Sequence, residues 1–373
     1  MLPHLCPRVC SCSKSFSRTL QTINCHSLAN TCIPESLPKY GNSINFKAGR
    51  LNHFDAIVVG GGPAGSACAA RLVADGVNTL VLDREEFPRT KLCAGWITPE
   101  VVADLNLDPD TYPHRFNTFE EIVAHVKGFT FKLRNPQHSI RRYEFDDYLL
   151  KTCGADIQIH NVRHIARNGS QYQIDDKYTC DYLIGAAGTR CPVYRTFFRE
   201  PNPRAKELQA TTYEYEFPYN CDDMRCHLWF FDNGLPGYSW YVPKANGYVN
   251  CGIGGMSAKL KSRKQSIQEQ WEHFTAVLSK KGFVTQQNYK PSGYSYYLRG
   301  GVDTIRVDNA FITGDAVGLA TRDLCEGIGP AIRSGQRAAN AITKDTTYNL
   351  EDIGTHSSNY ALVRKLLDYM FIS

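Results

Sequence analysis

Nowhere in the chain does an apolar run approach the roughly 18 uninterrupted residues that a membrane-spanning helix needs. A substrate that is itself a lipid must then be met at a membrane surface or in solution. Net charge is almost as scarce. Over 373 residues, 42 basic and 37 acidic side chains leave +5, and residues 1–50 hold Arg8, Lys14, Arg18, Lys39, Lys47 and Arg50 against Glu35 alone. The remaining 323 residues are balanced, 36 against 36. A neutral body lacks the basic footprint that phosphate backbones require, which excludes nucleic acid as a partner. Paired cysteines are missing too. Of 14 cysteines, five lie in the first 50 residues, and the other nine are scattered singly with no CxxC spacing for zinc or redox chemistry. They read as buried, reduced thiols in a reducing compartment, which predicts a cytoplasmic protein. No Ser/His/Asp order, no histidine cluster and no internal repeat stands out.

What is present is a globular composition, 42% hydrophobic and 12% aromatic, in a chain long enough for one large or two modest domains that bury a cofactor. Residues 1–52 stand apart. They are basic, rich in Ser, Thr, Cys and Pro, and without the apolar core of a secretory signal. That composition suits an organelle transit peptide, which would move the protein to an organelle, and equally an extension with no structural role. Both readings predict disorder there.

From Phe54 the text reads strand, tight turn, helix, strand: Ala56-Ile57-Val58-Val59, then glycines, an Ala-rich helical stretch to Val73, and Thr79-Leu80-Val81-Leu82. Residues 98–139 carry no clear period. A helix begins near 140, and 179–187 reads as a short buried strand. Between 205 and 255 the alternation of Thr211 to Phe217 and of Tyr248 to Ile253 predicts an antiparallel sheet. A helix over 263–282, strands at 293–299 and 309–313, and an Ala/Gly helix over 327–343 follow. The α/β ends around a β-rich middle predict a nucleotide domain built from 53–97, 140–200 and 300–345. A substrate domain over 98–139 and 201–299 interrupts it, and a helical tail occupies 346–373.

Gly60-Gly61-Gly62-Pro63-Ala64-Gly65 fits G-x-G-x-x-G between a strand and a helix, with Asp83 eighteen residues past Gly65 at the end of the next strand. Gly60 turns the chain, Gly62 lets backbone approach a pyrophosphate, Gly65 lets helix pack on strand, and Asp83 accepts from ribose hydroxyls. At the other end, Gly314-Asp315-Ala316 follows a buried strand and Gly327-Ile328 opens a helix. A cofactor gripped by both ends of the chain is long, with Asp315 on a polyol, and FAD meets that demand better than NAD.

These segments resemble the flavoprotein monooxygenase and geranylgeranyl reductase superfamily, whose fold is that of para-hydroxybenzoate hydroxylase. Arg142-Tyr143-Glu144-Phe145-Asp146 with Leu149 is similar to its R-x-x-F-D-x-x-L. Leu183 to Gly188 and Glu326-Gly327 match its other cofactor segments. Arg89-Thr90-Lys91-Leu92-Cys93-Ala94-Gly95 resembles the R-x-K-x-C-x-G stretch of the reductase branch, and Gly237-Tyr238-Ser239-Trp240-Tyr241-Val242-Pro243-Lys244 with Gly252 its Y-x-W-x-x-P-K motif. The second is also similar to the W-x-W-x-I-P of flavin-dependent halogenases. The resemblance implies an α/β fold: a Rossmann-like FAD-binding domain of the second glutathione-reductase type with an inserted antiparallel β-sheet substrate domain. It implies cofactor contacts from Gly60, Gly62, Pro63, Ala64, Gly65, Asp83, Arg84, Arg142, Gly188, Gly314, Asp315, Gly327 and Ile328.

One departure matters. Where aromatic hydroxylases have G-A-D-G, this chain has Gly185-Ala186-Ala187-Gly188, which disfavours a hydroxylase and leaves the electron donor, NAD(P)H or another, open. Cys93 is the candidate catalytic residue, with a small buried hydrophobe as the competing reading. Tyr238 and Trp240, two apart on one strand, either wall a substrate pocket or pack across strands. Arg142 either pairs with the FAD pyrophosphate or is a solvated helix arginine. The expected activity is FAD-dependent reduction of C=C bonds in a small apolar isoprenoid, with peripheral membrane contact. The alternatives are a monooxygenase of an aromatic or quinone ring, a halogenase-like enzyme, and a flavoprotein that only binds FAD.

Overall fold

In a computed structural model, the described residues are 51–358 with Arg364, Lys365, Leu367 and Asp368. The expected disorder of the head therefore falls outside them, apart from Leu51 and Asn52, where the first strand starts. Along the chain come β1 (Asn52–Val59), α1 (Pro63–Ala74), β2 (Thr79–Asp83), β3 (Trp96–Ile97), α2 (Pro99–Asp104), β4 (Asn117–Val126) and β5 (Phe129–Ser139). Next are α3 (Arg142–Thr152), β6 (Asp156–Ile159), β7 (Ile165–Asn168), β8 (Gln171–Ile174), β9 (Tyr178–Gly185), β10 (Gln209–Pro218) and β11 (Cys226–Phe230). Then follow β12 (Gly237–Lys244), β13 (Tyr248–Met256), α4 (Ser257–Ser262), α5 (Ile267–Lys280), β14 (Ser292–Tyr297), β15 (Arg306–Val307), β16 (Ala310–Ile312) and α6 (Ile328–Thr343).

The strands form two sheets. The first is ordered β15-β16-β9-β1-β2-β6, parallel from β16 to β6, with β7 and β8 attached beside β9. Its central strands are uninterrupted apolar runs because both faces are covered; Ala56, Ile57 and Val58 are fully buried. Helix α1 packs on α6 at backbone distance, since a Cβ on Gly335 would sit 2.1 Å from the Ala64 carbonyl oxygen.

The second sheet is ordered β14-β10-β13-β12-β11-β4-β5-β3. It departs from the expected antiparallel sheet in one place, where β4 and β11 run parallel. The chain enters this sheet twice, as β4–β5 and later as β10–β13, and no hairpin joins the two visits to impose an antiparallel turn. Its strands alternate. One face, with Tyr213, Trp229, Tyr241 and Ile253, is covered by Trp271, Phe274 and Leu278 of α5. The other, with Ala210, Leu228, Tyr238, Trp240 and Val242, looks toward the first sheet's side of the molecule. Both sheets and the discontinuous α/β arrangement agree with the Rossmann-like fold class.

The helical tail expected over 346–373 is not helical in its first part: 346–358 contains no helix. Tyr348, Leu350 and Ile353 are buried against the first sheet, and the Ser357 and Ser358 amides donate to Asp323, which pins this segment as a strap.

Candidate active site

A cavity of about 790 Å³ runs from the glycine turn after β1 to the open face of the second sheet. At the turn end, Gly60 has φ +113°, and a Cβ there would lie 2.6 Å from the Ala186 carbonyl. A Cβ on Gly62 would meet only Arg89 Nη2, at 3.6 Å, so its bare backbone faces the space. Pro63 and Ala64 follow as the first turn of α1, which has no side-chain cap and no acid. Uncapped amides at a helix start attract an anion. Besides Arg142, five arginines line the cavity (Arg84, Arg89, Arg163, Arg190 and Arg195), so the site suits a pyrophosphate. Asp83 also lines it; its carboxylate accepts from the Gly61 amide at 2.7 Å and the Glu85 amide at 3.0 Å and keeps lone pairs for hydroxyls. Gly188, Asp315, Gly327 and Ile328 line the far side. The donors, the bare backbone and the length of the cavity fit FAD.

Two of the expected contacts, Gly65 and Gly314, lie outside the lining, and Arg142 lies in it with a partner of its own. Gly65 does not line the cavity: a Cβ there would sit 1.8 Å from the Gly60 oxygen, so its role is helix-on-turn packing. Gly314 is likewise absent from the lining. Its φ is +56°, its amide donates to Ser334 Oγ at 2.9 Å, and Ala64 and Ala331 close over it. Arg142 does line the cavity, but it is buried and neither solvated nor available as a spare cation. Its Nε and Nη2 donate to the two oxygens of Asp146 at 2.6 and 2.7 Å. Burial alone would lower the Arg142 pKa, but the charge and hydrogen bonds of Asp146, with Cys93 beside it, together outweigh burial and hold it high.

Cys93 is half-buried in the cavity wall beside Arg142, a free thiol whose Sγ accepts from the Gly95 amide at 3.3 Å. The floor is made by alternate residues of three adjacent strands. In one row Glu214 of β10 pairs with Gly252 of β13, which pairs with Trp240 of β12; in the next, Thr212, Gly254 and Tyr238 align. The central glycines make room for the rings: a Cβ on Gly252 would lie 2.2 Å from Trp240 Cζ2 and 2.7 Å from Glu214 Cβ. Tyr238 Oη donates to the Leu324 carbonyl at 2.6 Å and Trp240 Nε1 to Asn250 Oδ1 at 2.7 Å, so their polar ends are tied and their apolar faces meet the space. Trp96 stacks on Tyr238 at 6.3 Å.

Sequence reasoning missed Glu214, Trp96, Arg190 and Arg195. For Glu214 a signal existed: it shares the face of Ala210 and Thr212 in an alternating strand, an acid at an inward position. The other three lie in segments whose text has no period. Lys244, quoted only as part of a motif, is buried, its Nζ donating to the Ala94 carbonyl; burial lowers its pKa.

A family model for an NAD(P)-binding Rossmann-like domain matches residues 58–125. An uncharacterized protein of Methanosarcina barkeri is 30% identical over 317 residues, covering 81% of this chain and 78% of that protein. A menaquinone reductase of Mycobacterium tuberculosis is 25% identical over 318 residues, covering 77% and 76%. Among solved structures, a geranylgeranyl bacteriochlorophyll reductase-like protein from Thermoplasma acidophilum superposes with TM-score 0.70 at 18% identity, over 87% of this chain and 85% of that one.

Proposed function

We propose a reaction for this chain from its family: it belongs to the superfamily of geranylgeranyl reductases and FAD-dependent monooxygenases, and it is an FAD-dependent oxidoreductase. The reaction is the two-electron reduction of carbon–carbon double bonds in a small apolar, isoprenoid-like molecule. The observation that carries this reading is the floor of the cavity. Trp96, Tyr238, Trp240, Met256 and Leu324 present a continuous apolar surface at the end away from the glycine turn, suited to a hydrocarbon chain. A relative named for menaquinone, an isoprenoid-tailed quinone, supports the substrate class. Ala187 on the cavity wall, at the position of the hydroxylases' acid, supports reductase over hydroxylase.

When bound and reduced, FAD supplies hydride. The residues that would hold it are the turn from Gly60 to Ala64 for the pyrophosphate, Asp83 for the ribose, and Asp315 with Gly327 at the far end. Trp240 and Tyr238 would align the hydrocarbon and exclude water.

The test is anaerobic photoreduction of the FAD-loaded protein, which needs no natural electron donor. Reoxidation of the flavin by geranylgeranyl diphosphate or menaquinone without oxygen, with a saturated product, is the expected result. Rapid reoxidation in air through a transient hydroperoxide-like absorbance, with a hydroxylated product, would replace this reading by a monooxygenase.

A membrane surface belongs to the same reading. Phe129 and Phe131, 70% and 50% exposed at the start of β5, share the strand face of Leu133, which packs on the cavity-side core. Lys127 and Lys132 flank them. Flotation with anionic vesicles should be lost on Phe129→Ser with Phe131→Ser; equal flotation of the variant removes the hairpin from the membrane contact.

A further inference from the structure

We propose that Glu214 is the acid of this enzyme, delivering the proton that completes reduction of a substrate double bond in the cavity. The inference rests on the reductase reading above.

Four observations carry it. Glu214 is 1% exposed yet lines the cavity. Its Oε2 is buried and has no hydrogen-bond partner among the described residues. A buried carboxyl oxygen left unsatisfied is costly unless it is protonated or a ligand completes it. Its position is fixed from behind. The main chain of β10 is hydrogen-bonded on both sides, to β13 and β14, and Gly252 opposite leaves room for Trp240 to lie beside the carboxyl. Finally, Asn250 joins the surrounding groups: its Oδ1 accepts from Trp240 Nε1, its Nδ2 donates to the Cys93 carbonyl at 3.3 Å, and its side chain acts on the Glu214 carboxyl, favouring the charged form.

The charged groups that act on Glu214 are Glu216 on its own strand, Lys244 on β12 and Lys91 on the segment before β3, and Cys93 on that segment acts on Lys244. Desolvation is the largest influence and raises the Glu214 pKa to about 7; Asn250 and the two lysines oppose it and Glu216 adds to it. A carboxyl poised there is protonated in part at neutral pH, the condition that suits a general acid.

The step balances. The π bond of the substrate breaks, and one of its carbons gains hydride, the two-electron reductant of the proposed reaction. The other carbon uses the π pair to take the Glu214 proton. Glu214 is left as a carboxylate and is reprotonated from water. The substrate is reduced by two electrons, and no other co-reactant is required.

Glu214→Gln keeps the size and a hydrogen-bonding head but has no acid proton. FAD-loaded wild type and E214Q are compared with matched flavin content, which separates loss of the acid from failure to fold. Infrared spectra of wild type should show a protonated-carboxyl band that fades as pH rises through about 7, and E214Q should lack it. The same band in both proteins would overturn the proposal. In single turnovers of photoreduced protein with a polyprenyl lipid, E214Q should be slower by about 10²–10⁴-fold, with Glu214→Asp between the two. An E214Q rate equal to wild type would overturn the acid while leaving the reductase intact. A wild type inert to every prenyl double bond, with its infrared band present, would overturn the reductase reading itself and so remove the substrate that the acid serves.

Discussion

On the α5 side of the second sheet, His125 Nε2 shares a hydrogen bond with His227 Nδ1 at 3.0 Å, and His227 Nε2 shares one with Asp223 Oδ2 at 3.0 Å. Both rings stack on Trp229, at 4.7 and 5.8 Å. On the cavity side, the same sheet carries Glu214 with an oxygen that no described residue satisfies. Unpartnered groups exist on the α5 side as well, but Trp229 Nε1 and Tyr289 Oη are neutral. A face closed by a helix partners its charges within the protein. The face left open keeps a titratable group toward the space where a ligand belongs.

Two neighbouring residues put that contrast to its hardest test. Gly252 and Ile253 are adjacent on β13 and point to opposite faces. Gly252→Ala drives a methyl into the ring of Trp240, 2.2 Å away. It should cost only about 1–3 kcal/mol in stability but displace the floor enough to slow turnover by about 10²-fold with FAD still bound. Ile253→Ala empties a fully buried site beneath α5 and should cost about 2–5 kcal/mol with turnover per folded molecule unchanged. Urea melts and flavin-normalised rates check both. If the two variants lose stability and activity in the same proportion, the faces are not functionally distinct.

Glu214 sharpens the comparison through pH. Its folded pKa, about 7, lies above the ordinary 4.5, so the folded protein binds more protons than the unfolded chain between those values. Stability on this account is full below 4.5 and is lost as pH rises toward 7. At pH 8 the ionised carboxyl is a burden on the order of 3 kcal/mol. E214Q should therefore melt higher than wild type in alkaline buffer, with the difference vanishing near pH 4. A variant less stable than wild type at every pH would show that Glu214 is held by partners in the fold.

The legible parts of this molecule were those in which backbone geometry dictates residue type. The turn from Gly60 to Gly65, with Asp83 beyond it, is readable because only glycine fits at Gly60 and Gly65. Alternation in Thr211 to Phe217 and Tyr248 to Ile253 exposes the two faces of the sheet, and the register pairs those strands directly. The sequence does not say which face is open. That depends on α5, which begins 37 positions past the end of β11, choosing one side, and on Gly252 lying opposite Trp240, which requires the register. The choice between a cofactor arginine and a solvated one at Arg142 is not legible for a related reason. Its partner Asp146 is four residues along the same helix, visible in the text, but whether an i,i+4 pair is exposed or buried is decided by packing against it. Gly314 resembles a cofactor contact in sequence and is a packing glycine because Ser334, on α6, takes its amide.

The smallest expected effect belongs to the closed face. Burial lowers the pKa of His125 to about 4, with the neighbouring His227 and Lys281 acting in the same direction, and burial lowers that of His227 as well, though Asp223 opposes it. The unfolded chain then binds protons that the folded protein refuses, so the contribution of His125 to stability is present above its ordinary 6.5 and drains away as pH falls toward 4. The imidazole is partly open to solvent, which screens the effect to a modest size. This is the reverse of the Glu214 trend, from a group on the opposite side of the same sheet. The two windows overlap, pH 4 to 6.5 against 4.5 to 7, and are told apart by their opposite signs. His125→Gln should remove the loss of stability as pH falls from 6.5 to 4 and leave the stability difference between wild type and E214Q unchanged across pH 4.5 to 7. A wild-type-to-E214Q difference that changes in the His125→Gln background would mean that the sheet transmits charge between its faces and that the contrast drawn from its two sides does not hold.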